Sequence, residues 1–137
     1  MPLTPYLYYE DVASALRFLG KAFGFKRYGA QMRGADGKLK HVAIKLGDDV
    51  VMMGYPGAQY KNPKRLGQAT QCLLIEVDDL DQHFGRAKKA GATILSEPQE
   101  PRFGQRRYGC TDPEGHEWYF AQQVRAPSRR KRQSRAA

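Results

Sequence analysis

This sequence predicts an α+β fold of two βαβββ modules, and three observations support that prediction. A strand, a helix and three further strands follow one another twice along the chain. Both helices open on an acidic pair followed by an aliphatic residue, Glu10-Asp11-Val12 and Asp78-Asp79-Leu80, and both stop at a glycine, Gly24 and Gly91. The second pattern ends on a tight turn, Asp112-Pro113-Glu114-Gly115, and an aromatic strand from His116 to Phe120.

Thr4 to Tyr9 reads as extended. Val12, Leu16, Leu19 and Phe23 then recur at helical spacing, with Asp11 as N-cap and Gly24 just past the end. Phe25 to Met32 is a strand, Gly34 to Gly37 a hairpin turn, and Lys40 to Leu46 and Val50 to Met53 two more strands joined by Gly47-Asp48-Asp49. Tyr55 to Thr70, rich in Gly, Pro, Asn and Lys, reads as a long loop. Gln71 to Val77 restarts the pattern. A helix runs from Leu80 to about Ala90, with Leu80, Phe84 and Ala87 on one face. Ala92 to Leu95 is a strand, Pro98 to Gly104 a loop, and Gln105 to Thr111 the strand before the final turn. Module one therefore covers about residues 3–56, the linker 57–70 and module two 71–123, all within a domain of residues 1–124.

The net charge of +9 is unevenly placed. Residues 125–137 hold Arg125, Arg129, Arg130, Lys131, Arg132 and Arg135 and no acid, which leaves 17 basic and 14 acidic residues, or +3, in the rest. With Pro127 and almost no apolar content, this tail is expected to be disordered. Its charge allows weak, salt-sensitive, nonspecific nucleic-acid binding, although a solubilising role is the simpler expectation. No stretch approaches the ~20 apolar residues of a membrane span. Met1-Pro2-Leu3-Thr4-Pro5 lacks the basic and apolar regions of a signal peptide, so the expected location is the cytoplasm, with Cys72 and Cys110 as reduced thiols.

Three stretches in order carry a family resemblance: Tyr8-Tyr9-Glu10-Asp11-Val12 through Phe23-Gly24-Phe25, Glu76-Val77-Asp78-Asp79-Leu80, and Asp112-Pro113-Glu114-Gly115-His116-Glu117-Trp118-Tyr119-Phe120. Over about residues 3–123 the chain resembles the vicinal oxygen chelate superfamily: glyoxalase I, bleomycin and fosfomycin resistance proteins, and extradiol dioxygenases. Its flavour is most like the glyoxalase and bleomycin-resistance branch. The resemblance implies a curved mixed sheet around a cup, helices outside, and a homodimer. It also implies four metal-ligand positions, which fall here on Thr4, Met52, Cys72 and Tyr119. Hard divalent ions want carboxylate and imidazole ligands, and this set offers neither, so no metal and no other cofactor is expected.

Strand alternation divides the remaining residues between cup and core. Tyr6 and Tyr8 share a face with Thr4; Leu74 and Glu76 share one with Cys72; Glu117 shares one with Tyr119. With Met52 and Tyr108 they make an aromatic, sulfur-lined pocket suited to a planar or mostly apolar small molecule. Glu76 and Glu117 either look into the cup as acid and base or sit at its mouth beside arginines; Arg102, Arg106 and Arg107 cluster near it. Trp118 and Phe120 belong to the core. His41 and His116 read as structural and His83 as a solvated helix residue. The leading expectation is a metal-free small-molecule-binding protein acting by sequestration, with catalytic residues unassigned. The alternative is a lyase, isomerase or dioxygenase of the same superfamily using Glu76, Glu117 or Cys72, and the next a nucleic-acid-associated protein acting through the tail.

Overall fold

The computed structural model describes residues 2–99 and 104–124. The basic segment 125–137 and Arg102 lie outside them. Its elements are β1 (Tyr6–Tyr8), α1 (Val12–Phe23), β2 (Lys26–Arg33), β3 (Leu39–Leu46), β4 (Asp49–Gly54), α2 (Pro63–Leu66), β5 (Cys72–Glu76), α3 (Leu80–Lys89), β6 (Thr93–Ser96), β7 (Gln105–Thr111) and β8 (Glu117–Gln123). They form two four-stranded sheets of matching order, β1-β4-β3-β2 and β5-β8-β7-β6, in which β1 and β5 are edge strands running parallel to β4 and β8. The βαβββ repeat is therefore present twice. The long loop of the sequence reading holds one short helix, α2, which Asn62 caps by accepting from Arg65 N at 2.9 Å.

Each sheet has one face under a helix and one open face, as period-two alternation requires. Leu7, Val42, Ile44, Val51 and Met53 fill the covered face of the first sheet, and Ile75, Tyr108, Cys110, Trp118 and Phe120 that of the second. One core joins the two modules. The Phe23 ring lies 4.8 Å from Phe120 and 5.3 Å from Trp118, and Phe25 lies 5.6 Å from Trp118. Burying each such side chain contributes on the order of 1.5–3 kcal/mol.

α1 starts where Asp11 accepts from Ser14 N at 3.0 Å and ends where Gly24 takes a left-handed φ of 88°. The two helices pack on each other, and α3 closes the open end of α1. Arg86 donates to the carbonyls of Lys21 (2.8 Å) and Gly20 (3.0 Å), and His83 Nε2 donates to Phe23 O at 3.1 Å. A cation at a helix C-terminus is also favoured by the helix dipole. With its proton on Nε2, neutral His83 accepts at Nδ1 from the Tyr108 hydroxyl, 2.6 Å away. This corrects the reading of His83 as solvated: its ring sits 4.1 Å from Phe120 and bridges the two helices.

The Asp112–Gly115 turn joins the modules through carboxylates. Asp112 is 4% exposed and accepts from the Tyr9 hydroxyl (2.6 Å), Trp118 Nε1 (3.1 Å), Glu114 N (3.0 Å) and His116 N (3.1 Å). Glu114 accepts from Glu10 N (2.7 Å) and Asp11 N (2.9 Å) at the entry to α1, and from Asn62 Nδ2 at 3.0 Å.

Two stability outcomes follow. Asp112→Ala strands a tyrosine hydroxyl, an indole N–H and two backbone amides, and should cost about 3 kcal/mol or more in chemical denaturation, while Tyr9→Phe costs about 1 kcal/mol. Burial, helped by the neighbouring Arg86, holds the His83 pKa below its ordinary 6.5. The folded chain then binds fewer protons than the unfolded chain just below pH 6.5, so the His83 contribution is complete above that pH and shrinks as pH falls beneath it. Denaturation midpoints measured across this range should show a smaller acid loss in His83→Gln than in the parent.

Candidate functional site

The open face of the first sheet is built in rows by its register. Tyr6, Met52, Ala43 and Tyr28 lie side by side across β1, β4, β3 and β2, and Tyr8, Gly54, His41 and Met32 form the next row. Tyr6, Tyr8 and Tyr28 are each about half exposed. The Tyr6 ring meets Tyr8 edge-on at 5.8 Å, Tyr8 meets Tyr60 at 5.8 Å, and the Tyr6 hydroxyl hydrogen-bonds His41 Nδ1 at 2.8 Å. Gly54 makes this possible, because a Cβ there would lie 2.6 Å from the Tyr6 hydroxyl. The strip is fixed at its far end by Tyr60, which donates to Tyr8 O at 3.0 Å, and by His116 Nε2, which donates to the same carbonyl at 2.7 Å. Burial, with Glu114 and Glu10 nearby, pushes the Tyr60 hydroxyl up to about 12, so it stays a donor.

The open face of the second sheet repeats the device. Cys72, Glu117, Thr111 and Thr93 form one row, and Leu74, Tyr119 and Gly109 the next. The Tyr119 ring lies flat over Gly109, where any Cβ would collide with it. Burial, then Glu117 and Cys72, raises the Tyr119 pKa, so its hydroxyl is a neutral hydrogen-bonding handle. Glu76, Ala121 and Arg107 make the third row. Glu76 accepts from Gln123 Nε2 at 2.9 Å and Arg107 Nε donates to Gln105 Oε1 at 3.1 Å, whereas Arg106 is paired to Asp81 at 3.2 Å.

Tyr6, Tyr8 and Met52 thus lie on one open face, and Cys72, Leu74, Glu76, Glu117 and Tyr119 on the other. Tyr108 does not join them. It pairs with Phe120 across β7 and β8, so its side chain enters the core, fully buried, and bonds His83. Paired residues share a face, and register rather than sequence distance decides which. The sequence reading missed four open-face neighbours: Tyr28, Met32, Tyr60 and, as more than a structural residue, His41. Alternation along β3 could have found His41, since it falls in step with Ala43 and Lys45; nothing local marks Tyr60.

The two open edges approach one another around a cavity of about 970 Å³, lined by residues 2–5, Tyr28, Lys45, the β3–β4 turn and Leu73 to Glu76. The four positions where the family resemblance implies metal ligands offer a hydroxyl (Thr4), a thioether (Met52), a thiol (Cys72) and a phenol (Tyr119). That donor set does not fit a hard divalent ion. Among the described residues, no group of three or more His, Cys, Asp or Glu is placed to hold a metal. No helix among them is long and apolar enough to cross a membrane.

Comparison with known proteins agrees with this architecture. The model of the Glyoxalase/Bleomycin resistance protein/Dioxygenase superfamily matches residues 3–120. An uncharacterized protein of Mycobacterium bovis is 37% identical over 130 residues, spanning 90% of this chain and 84% of its own length. Among solved structures, TioX from Micromonospora sp. ML1 superposes with a TM-score of 0.72 at 30% identity, over 90% of this chain and 99% of TioX. The fosfomycin resistance protein FosX from Listeria monocytogenes shares the fold, with a TM-score of 0.66 at 12% identity over 90% of this chain and 93% of its own. The paired βαβββ sheets, the sequence match and these likenesses agree: the chain belongs to the Glyoxalase/Bleomycin resistance protein/Dioxygenase superfamily.

Proposed function

We propose that this protein binds a small, planar and largely apolar molecule on the open faces of its sheets, without a metal ion, and holds it unchanged. The observation that carries this reading is the pair of tyrosines laid against glycines, Tyr6 over Gly54 and Tyr119 over Gly109. Rings packed against rigid strands offer apolar contact surface at little entropic cost, and their hydroxyls add orienting hydrogen bonds. Met52 and Leu74 supply adaptable apolar contact between them. The donor set described above supports the metal-free part of the proposal. Sequestration, as in resistance by binding, is the mechanism such a surface allows, because stacking and neutral hydrogen bonds hold a ligand without activating it.

A homodimer belongs to the same proposal. Leu3, Tyr28, Met32 and Leu74 are exposed near the open edges, and a second copy covering them would enclose the ligand. Size-exclusion chromatography with light scattering should report twice the chain mass at micromolar concentration; a monomer would remove this part of the reading.

Binding can be read with N-phenyl-naphthylamine, a neutral aromatic probe that brightens in apolar sites. Tyr6→Ala and Tyr119→Ala should each weaken it about fivefold, since an aromatic contact is worth ~1 kcal/mol. Gly109→Val keeps Tyr119 but lifts its ring from the sheet, and should weaken the probe similarly. Unchanged affinity in all three variants would place the site elsewhere. Elemental analysis of the purified protein should find no stoichiometric divalent metal; one tightly held ion per chain would overturn the metal-free reading.

A further inference from the structure

The two open faces differ in charge. That of the first sheet carries Lys26, Lys45 and His41 and, among the described residues of β1 to β4, no carboxylate; that of the second carries Glu76 and Glu117 against Arg107. Lys45 and His41 lie on β3, two residues either side of Ala43, which pairs with Tyr28 on one flank and Met52 on the other. The result is a shallow seat floored by a methyl group, walled by Tyr28 and Met52, and ended by two nitrogen-bearing side chains about 13 Å apart along the strand.

Both ends have bonding capacity to spare. The Lys45 ammonium lies 4.8 Å from the centre of the Tyr28 ring and has no ion pair among the described residues. Asp48, Asp49 and Glu76 line the adjoining cavity, yet none comes within ion-pair distance of it. Its three N–H donors are therefore open to a ligand oxygen, and a charge-assisted bond is about twice as strong as a neutral one. At the other end His41 spends Nδ1 on Tyr6, while Nε2 has no partner among the described residues. The Tyr6 hydroxyl can donate to Nδ1 or accept from it, so Nε2 can present either a proton or a lone pair.

We infer that the first sheet's open face is specific for a planar aromatic acid, with the ring over Ala43, the anionic group on Lys45 and the far end bonded by the Tyr6–His41 pair. This rests on the proposed binding role and adds the ligand's charge to it. Three probes of one shape separate the possibilities: naphthoate, naphthamide and naphthylmethylamine, which differ in carrying a negative, no or a positive charge. Their affinities would be measured by titration calorimetry on the full chain. Naphthoate should bind about tenfold more tightly than naphthamide, with the amine weakest. Lys45→Met combined with Lys26→Met should abolish the preference for naphthoate while leaving naphthamide unchanged, whereas Lys26→Met alone and Lys45→Arg should keep it. A hydroxynaphthoate with its hydroxyl at the end opposite the carboxylate should bind more tightly than naphthoate, and His41→Phe should remove that gain while leaving naphthoate itself unchanged; no gain in the parent would overturn the contact at the far end. Equal affinity for the three probes would overturn the inference while leaving the binding role intact. Preference for the amine would also overturn it and assign recognition to Glu76 and Glu117. Loss of all binding only in Tyr119→Ala would place the ligand on the second sheet and refute the seat. If none of the probes binds at all, both the inference and the binding role fail.

Discussion

A buried carboxylate holds the two modules in place. Asp112 sits with almost no exposure and no ion-pair partner among the described residues, its charge met by four donors: a hydroxyl and an indole N–H from side chains and two backbone amides. A carboxylate stripped of water is tolerable only when its lone pairs are filled, and here the donors come from both halves of the chain. Tyr9 brings the end of β1, Trp118 brings β8, and the amides fix the turn between β7 and β8. Two residues on, Glu114 takes the backbone N–H groups leading into α1 and the side chain of Asn62 before α2. The Asp-Pro-Glu-Gly turn is therefore a joint between modules as well as a hairpin.

That joint orients everything else. With β1 and β8 tied together on their covered faces, α1 and α3 meet, and the last turn of α1 finds its hydrogen-bond partners on α3 rather than in water. Arg86 and His83 between them answer three carbonyls of α1. The helices crowd the covered faces with aromatic side chains and leave the opposite faces to polar, aromatic and sulfur-bearing residues. Core and open surface are thus the two sides of the same strands, separated by one residue of register.

The open faces owe their form to what is missing as much as to what is present. Gly54 and Gly109 interrupt their strands with no side chain, and a tyrosine from a neighbouring position fills each gap. Covering a strand glycine with an aromatic ring is a stabilising device in its own right. Here it also seats two tyrosine rings on rigid supports, Tyr6 half-exposed and Tyr119 partly buried. The four positions where the family resemblance implies metal ligands carry a hydroxyl, a thioether, a thiol and a phenol, a donor set that does not fit a hard divalent ion.

Much of this was legible in the chain itself. The repeated pattern, the capped helix Val12–Phe23, the core placement of Trp118 and Phe120, and the shared faces of Tyr6 with Tyr8 and of Cys72 with Leu74 and Glu76 all follow from local spacing, because side-chain direction within one element is set by its own periodicity. Tyr108, His83 and Tyr60 were not legible in the same way, nor was the partner of His41. Tyr108 takes its face from pairing with Phe120, His83 is partly buried because another helix ends against it, and His41 and Tyr60 matter through partners 35 and 52 residues away. The sequence by itself determined which elements form and which way each strand's residues alternate, since those depend on neighbours in the chain. Only the tertiary structure decided which faces meet, which stay open and which polar groups find partners, because those depend on register and packing between segments that the chain holds far apart.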